Sequence, residues 1–473
     1  MVMRKIWMLL LPLLGWLSCG NFLDIEPQDE LSRAEALSTI RGIDAILVGA
    51  YQQLSFTDYY AQSFLFFPEM VGNLVPLDDN AGSVLRYRQV HDLNVPSDYE
   101  GSALNQLYDR PFTLLYAVND VLAALPDLEE GTPEQRASLR GEALHLRAVA
   151  HFDMVRVFAQ APGFSNGAAH PGIPLIDRPL GVLDQPSRAT VAEIYDLIVR
   201  DLTEAADLVD PSFSRRNGDN VWIEPAVVLG ALARVQAYRE DWQSCAEFAT
   251  RAITASGREL TPRETYLEAW EDRDLPETLW RIDIQRLLTS SGGTSPARIA
   301  GRGEEDPLCR VSEDLMSLFA PDDLRRQLYP QDTRGFRLTA KYPFSPSAIF
   351  NPIYLRLSEL YLLRAEANAA LNNDALAQAD YDLIHQRAVL NAPPITLTGP
   401  ELLEEIRRER RRELALEGHL LFDLSRWGAD IDRDDCAGSV RFCDLTYPSP
   451  YFILPIPEDA LFRNPNLTQN EGY

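Results

Sequence analysis

The sequence predicts a mainly α-helical fold in which pairs of antiparallel helices are separated by long irregular loops. Residues 226–239 place apolar side chains on one helical face, a turn follows at Glu240-Asp241, and residues 242–256 return as a second amphipathic segment. Residues 357–371 and 375–388 repeat this design. Alanines at the facing positions let two helices approach closely, which is typical of tetratricopeptide-like repeats.

Two further helical pairs are less regular. Residues 134–158 are expected to pair with 191–208, and residues 34–54 with 104–125. Because long inserts separate the partners, the pattern predicts interrupted repeats within one domain rather than a regular solenoid. Few sustained β-strands are expected.

The composition is that of a folded protein with an acidic surface. The chain has 473 residues, of which 46% are hydrophobic and 24% charged. Its net charge of -26 argues against nucleic acid as a partner and against electrostatic attachment to anionic lipid, since both require a basic surface. Lys5 and Lys341 are the only lysines, and every other cationic side chain apart from histidine is arginine.

The N-terminus predicts export. Arg4 and Lys5 precede an apolar run at residues 6–17, which is shorter than the ~20 residues that span a bilayer but suits the core of a secretory signal. We therefore expect a signal peptide at 1–18 and one domain at 19–473, with an N-terminal half of about 19–220 and a C-terminal half of about 265–473.

The end of this signal resembles a lipobox. In Trp16-Leu17-Ser18-Cys19, Trp16 stands where a leucine is usual, and Cys19 is the expected lipid-carrying residue. A plain signal peptide with Cys19 merely nearby stays open. Attached acyl chains would hold the protein on a membrane, because each buried methylene contributes roughly 0.8 kcal/mol.

Four cysteines follow Cys19. Cys436 and Cys443 bracket an eight-residue segment, and export to an oxidising compartment favours a local disulfide between them. Cys245 lies in a helical pattern and Cys309 in a loop, so both are expected as free thiols.

No motif indicates catalysis, a metal or a cofactor. The sequence has no H-E-x-x-H pair, no G-x-S-x-G elbow and no phosphate-binding loop. Asp430, Asp432 and Asp434 alternate like the start of a calcium loop, but Asp435 stands where such a loop needs glycine. Loop carboxylates such as Asp78 and its neighbour leave a glycoside hydrolase open as a third class of function, although chance pairs are abundant among 70 acidic residues.

A charge-rich segment near the C-terminus predicts one amphipathic helix that ends at Gly418. Arginines and glutamates recur there at spacings of three and four around Ile406, Leu414 and Leu416. We expect a structural ion network rather than a catalytic use of these charges. The charged residues are Arg408, Glu409, Arg410, Arg411, Arg412, Glu413 and Glu417.

Both halves of the chain resemble one family. Residues 409–428, ERRRELALEGHLLFDLSRWG, and the final PIPEDALFRNPNLTQNEGY resemble the C-terminal signature of the SusD/RagB family. Residues 141–148 and the segment PGIPL at 171–175 resemble motifs of its N-terminal half, and residues 21–27 resemble the start of its mature chain.

The resemblance implies a SusD-like fold and a non-enzymatic role. Members of the family are surface lipoproteins of the outer membrane that capture nutrients, such as glycans, for a SusC-like TonB-dependent transporter. The implied partners are therefore that transporter, a glycan or peptide ligand, and a membrane contacted through the lipid anchor. A helical-repeat scaffold of the envelope that binds protein or peptide segments stays open as the alternative.

Two loop regions, 56–99 and 285–350, combine aromatic residues with the polar side chains that bind sugars. In SusD-like proteins, ligand contacts likewise tend to come from loops of the N-terminal half and from loops before the last helical pair. The alternative for any single ring is that it anchors its loop in the core, in which case Tyr329, Phe336, Phe344 or Trp222 would be sought instead. The candidate ligand-binding residues are Asn73, Asp79, Arg86, Tyr87, Tyr99 and Tyr342.

Overall fold

The computed structural model describes residues 32–77, 82–98, 103–213, 220–272, 274–284, 296–345, 351–436 and 442–473, without the side chains of 82–86, 103–106 and 211. Most of these residues lie in helices, as the sequence predicts. The α-helices are α1 (Arg33–Ala36), α2 (Ile40–Leu54), α3 (Ser63–Phe66), α4 (Gly82–His91), α5 (Ala103–Ala124), α6 (Pro133–Phe158), α7 (Val191–Leu208), α8 (Pro225–Tyr238), α9 (Trp242–Ser256), α10 (Tyr266–Asp272), α11 (Ala297–Ala300), α12 (Glu313–Ser317), α13 (Leu357–Ala370), α14 (Asp374–Ala388), α15 (Gly399–Glu413), α16 (Leu420–Trp427) and α17 (Glu458–Arg463).

All four predicted helical pairs are confirmed. Helix α8 packs on α9, α13 on α14, α6 on α7, and α2 on α5. The pairs also pack on one another, because α5 contacts α6, α7 contacts α8, and α9 contacts α13. The result is a continuous helical layer that carries the loops.

Local sequence signals explain where several helices begin and end. The Thr132 hydroxyl accepts the Gln135 N–H at the start of α6, and Thr190 with Glu193 forms a capping box at the start of α7. Gly257 ends α9 in the left-handed region, with φ of 58°.

The strands are short and form three antiparallel pairs within the described residues. Strand β1 (Leu74–Pro76) pairs with β5 (Cys309–Val311), β2 (Pro171–Pro174) with β3 (Arg188–Thr190), and β4 (Thr278–Arg281) with β6 (Ile353–Arg356). Leu74 lies opposite Val311 in the first pair. This pair joins the two loop regions that the sequence singles out.

Helix α15 ends earlier than predicted. The helix stops at Glu413, and the chain then makes a turn in which Leu416 and Gly418 have φ of 65° and 86°. The carboxylate of Glu69 holds this turn, since it accepts the N–H groups of Leu416, Gly418 and His419 at 3.0, 2.9 and 2.8 Å. The sequence signature of the C-terminal half is thus fixed by a buried acid from the N-terminal half.

The predicted ion network is present, and much of it lies inside the protein. Arg356 is 1% exposed and pairs with Glu277, Glu413 and Glu417 at 2.6, 2.7 and 2.8 Å. Arg325 is equally buried and pairs with Glu413 at 3.0 Å. Burial by itself would raise the pKa of Glu413, but the guanidinium groups of Arg387, Arg356 and Arg325 hold this pKa well below its usual range.

A single large hydrophobic core runs through both halves of the described chain. A smaller cluster lies between α13, α14 and α15, where Ala365, Ala369 and Ala377 let the helices approach closely, as the alanine pattern predicts. Gly141 serves the same purpose on α6, because a Cβ there would lie 3.0 Å from the backbone nitrogen of Val209. No helix among the described residues is both long and apolar enough to cross a membrane.

Candidate functional site

The structure brings the two predicted loop regions together. Besides the β1–β5 ladder, the Leu77 N–H donates to the Leu308 carbonyl at 3.0 Å, and the Ser312 N–H donates to the Asn73 carbonyl at 3.0 Å. The Ser312 hydroxyl donates to the Gly72 carbonyl at 2.5 Å. Both regions therefore share one scaffold.

Three of the predicted ligand-binding residues lie in the core instead of on the surface. Tyr87 and Tyr342 are each 1% exposed, and Asn73 is 2% exposed. The Tyr342 hydroxyl donates to the Leu416 carbonyl at 3.0 Å, and the Asn73 amide donates to Glu69 at 2.6 Å. These side chains anchor the loops, so the prediction of Tyr87, Tyr342 and Asn73 as surface ligand-binding residues is corrected.

The side chains of the other three predicted ligand-binding residues are not among those that the structure describes. Asp79 and Tyr99 lie outside the described residues, as does the lipid-attachment candidate Cys19, and only the backbone of Arg86 is described. Their roles stay predictions.

Among the alternative aromatic residues, Phe344 is the exposed one. Its side chain is 41% exposed, whereas Tyr329 and Trp222 are 1% and 7% exposed. Phe336 is half-buried. Residues two apart share one face in a regular strand, so the different exposure of Tyr342 and Phe344 does not follow from strand alternation.

We call Arg302, Asp306, Arg334, Phe336 and Phe344 the Phe344 face. Arg302, Asp306 and Arg334 have exposed side chains, with 43%, 84% and 40% of their area accessible. The sequence analysis did not identify Arg302 and Asp306 as ligand candidates, although Arg302 lies within the Gly301-Arg302-Gly303 segment and Asp306 three residues after it, and the two glycines are a loop signal.

Backbone hydrogen bonds hold this face in place. The Phe344 N–H donates to the Arg302 carbonyl, and the Arg302 N–H donates to the Thr339 carbonyl, both at 2.8 Å. The Asp332 carboxylate accepts the N–H groups of Arg334 and Phe336 at 2.9 Å each, which closes the turn that presents the Phe336 ring. Because these groups are fixed before any ligand arrives, binding would lose little conformational entropy.

The turn is also tied to the neighbouring loop. The Arg334 guanidinium donates to the Glu305 carbonyl at 3.2 Å and lies 5.4 Å from the centre of the Phe336 ring. The Phe344 face thus combines apolar rings with guanidinium and carboxylate groups. Combinations of this kind suit the apolar C–H faces and the hydroxyl groups of sugars.

The residues that the structure describes contain no candidate metal-binding site. No group of three or more His, Cys, Asp or Glu side chains there is arranged to hold a metal ion.

Trp222 belongs to a different feature, a small apolar slot of about 40 Å³. Its ring contacts Tyr51 edge-on at 5.0 Å between centroids, and Trp280 lines the same slot. The Tyr51 hydroxyl donates to Glu142 at 2.8 Å, and the Trp280 indole donates to the Val221 carbonyl at 3.0 Å. Since these polar groups already have partners, the slot provides packing surface rather than a polar recognition site.

The structure contains the Cys436–Cys443 disulfide, with an S–S distance of 2.09 Å, and Cys245 and Cys309 are buried thiols that form no disulfide within the described residues. The disulfide segment borders the first loop region, because the Arg433 guanidinium donates to the carbonyls of both Cys443 and His91, at 2.8 and 2.7 Å.

Two family models match the chain. Residues 350–473 match a model described as the SusD family, and residues 21–218 match one described as starch-binding associating with outer membrane.

Individual proteins are similar as well. The SusD-like protein P25 of Formosa agariphila is 22% identical over 96% of this chain and 97% of its own length. The starch-binding protein SusD of Bacteroides thetaiotaomicron is 33% identical over 28% of this chain and 23% of its own length. Among solved structures, a SusD superfamily protein of Bacteroides thetaiotaomicron superposes with a TM-score of 0.81 at 23% identity, covering 91% of this chain and 99% of that one.

Proposed function

The chain belongs to the SusD/RagB family, and we propose that it is a surface lipoprotein that binds carbohydrate and delivers it to a TonB-dependent transporter of the outer membrane. The proposal that the ligand is a carbohydrate rests on the match of residues 21–218 to the starch-binding family model. The similarity to a starch-binding protein supports it further. The role is binding without catalysis.

The Phe344 face is the ligand site in this proposal. Phe344 supplies an exposed ring. The exposed sides of Arg302, Arg334 and Asp306 supply donors and acceptors for ligand hydroxyls, while these side chains stay paired with Glu271, Asp332 and Arg298. The face is small and holds two phenylalanines, which favours a short stretch of glycan over a long helical one.

Two neighbouring aromatic residues test this site. Replacing Phe344 by alanine should weaken glycan binding by about 1–3 kcal/mol, as for a binding hot spot, and leave the melting temperature almost unchanged. Replacing Tyr342 should instead lower stability by about 3–5 kcal/mol, because this residue is buried and its hydroxyl is hydrogen-bonded. Calorimetry with neutral and acidic glycans and with peptides gives the affinity, and thermal unfolding gives the stability.

The outcomes separate the candidate functions. If Phe344→Ala retains full affinity for a glycan that the wild type binds, the ligand site lies elsewhere. Binding of peptides with no glycan in the panel would favour the envelope scaffold. Release of shorter sugars from the same glycans would show that the protein is an enzyme and overturn the non-catalytic role.

The anchor is tested separately. Cells that produce the protein are given a fatty-acid analogue, and Cys19→Ser should abolish incorporation of the label. Cys309→Ser is the matched control, since Cys309 is buried and should not affect labelling. Equal labelling of the Cys19→Ser variant and the wild type would rule out Cys19 as the lipid-carrying residue.

A further inference from the structure

Three large apolar side chains stand almost fully exposed at one place on the surface. Val182, Leu183 and Phe462 have relative exposures of 103%, 92% and 87%. We call these three residues the apolar patch. Single exposed apolar residues are ordinary, whereas several together mark an interaction surface.

The patch is assembled from two segments that are distant in the sequence. Gln185, beside Val182 and Leu183, donates to the Arg463 carbonyl at 3.1 Å. Asn464 donates to the Pro186 carbonyl at 2.9 Å, and Asn466 donates to the Gln185 carbonyl at 2.7 Å. These hydrogen bonds fix loop 178–186 against the end of α17, so the three side chains project from one region of the surface.

The charges at the rim of the patch are paired with one another. Arg178 forms an ion pair with Asp184 at 2.9 Å, and Arg463 forms one with Asp459. An apolar centre surrounded by a polar rim, with positive and negative side chains in equal number, is typical of a protein–protein interface. An anionic lipid surface would need excess positive charge, which neither this rim nor a chain of net charge -26 provides.

The patch lies on the side of the protein where the described chain begins, 13 residues after the proposed anchor at Cys19. Arg33, at the start of the described chain, pairs with Asp120 on α5, and the adjacent Asn119 donates to the Ile176 carbonyl at 3.0 Å, just before loop 178–186. Tyr116, one turn away on α5, is 48% exposed. The 13 residues from Cys19 to position 32 can span no more than about 45 Å.

We propose that the apolar patch docks on the outer surface of the TonB-dependent transporter. This inference rests on the proposed function, because it names the contact surface for the partner proposed there. Leu183 and Phe462 would insert into the transporter surface and be buried, while the ion pairs of the rim stay at the edge of the contact.

Photo-crosslinking in cells tests the patch directly. A photoreactive phenylalanine is placed at Leu183 or at Phe462 in the full-length protein, which is produced together with the transporter that copurifies with the wild type. The matched controls carry it at Leu376 on α14 or at Leu390, which are 59% and 60% exposed. We expect crosslinks to the transporter, identified by peptide sequencing, from the two patch positions and not from the controls.

Crosslinks only to a second copy of this chain, only to lipid, or to the transporter only from the control positions would overturn the assignment. Leu183→Ser with Phe462→Ser should also reduce the amount of copurified transporter by roughly tenfold or more and leave the glycan affinity of the purified protein unchanged.

The same experiment separates this inference from the proposed function. If the wild type copurifies with a TonB-dependent transporter and the double variant does so equally well, the patch is not the contact and the proposed function stands. If the wild type copurifies with no such transporter, both the delivery role and the docking surface are wrong.

Discussion

Replacing Arg356 by methionine should be one of the most damaging single substitutions in this protein. Arg356 is 1% exposed and neutralises Glu277, Glu413 and Glu417, while its Nη2 also donates to the Glu413 carbonyl at 2.9 Å. Methionine fills a similar volume without the charge. Three buried carboxylates would then have fewer cations to offset their desolvation.

Breaking a buried ion pair by removing one partner costs about 3–5 kcal/mol of unfolding free energy, and the three carboxylates place Arg356 at the upper end of this range. Arg410 on α15 belongs at the lower end. It pairs with two carboxylates rather than three, Asp423 at 2.8 Å and Glu359 at 3.3 Å. The partners of both arginines keep another cation, since Asp423 still pairs with Arg426 when Arg410 is removed and Glu413 still pairs with Arg387 when Arg356 is removed.

Arg408 is the matched control. It lies on the same helix as Arg410, and its side chain is 55% exposed while it pairs with Glu405 at 2.6 Å. Exposed pairs contribute about 0–1 kcal/mol, because water screens the charges and the side chains lose conformational freedom. The expected order of damage is therefore Arg356→Met, then Arg410→Met, then Arg408→Met.

Urea unfolding followed by tryptophan fluorescence measures these differences, and Trp270, whose ring centre is 5.8 Å from the Arg356 guanidinium carbon, reports on the site. The unfolding midpoint of Arg408→Met should stay close to that of the wild type. If Arg356→Met lowered the midpoint no further than Arg408→Met does, burial would not determine how much an ion pair contributes to the free energy of unfolding, and the reasoning would be refuted.

Three further predictions concern pH, covalent linkage and backbone conformation. Burial lowers the pKa of His145 to about 3 and those of His151 and His419 to about 4. The unfolded state therefore binds more protons below pH 6.5, and the free energy of unfolding should fall by up to about 4 kcal/mol per pH unit between pH 6.5 and 4. Glu69 offsets part of this loss, because burial raises its pKa. A free energy of unfolding that stays constant over this window would contradict the burial of these histidines. Cys436→Ser should destabilise the protein by about 2.5 kcal/mol, the chain-entropy value for so short a loop, and reductant should lower the unfolding midpoint of the wild type but not of this variant. Gly418→Ala should cost about 1–2 kcal/mol because φ is 86° there, whereas Gly49→Ala in α2, where a Cβ meets nothing within 4 Å, should stabilise slightly in the same thermal scan.

The helical pairs could be predicted because their signal is local. Periodic apolar residues and a short turn define α8 with α9 and α13 with α14 within about 35 residues of sequence each, and alanines at the facing positions indicate the close packing. The end of α15 could not be predicted in this way. Its turn depends on Glu69, which lies 349 residues before Gly418 in the chain.

By itself, the sequence determined the helical architecture, the resemblance to the SusD/RagB family through the order of its motifs, and the two loop regions that the fold brings together. Only the tertiary structure decided which loop side chains face water. Tyr342 and Phe344 are both aromatic and two residues apart, yet Tyr342 is buried because the Leu416 carbonyl, 74 residues later, accepts its hydroxyl, while Phe344 stays 41% exposed. Exposure is a property of the partners that the fold brings from elsewhere in the chain, and no local pattern contains that information.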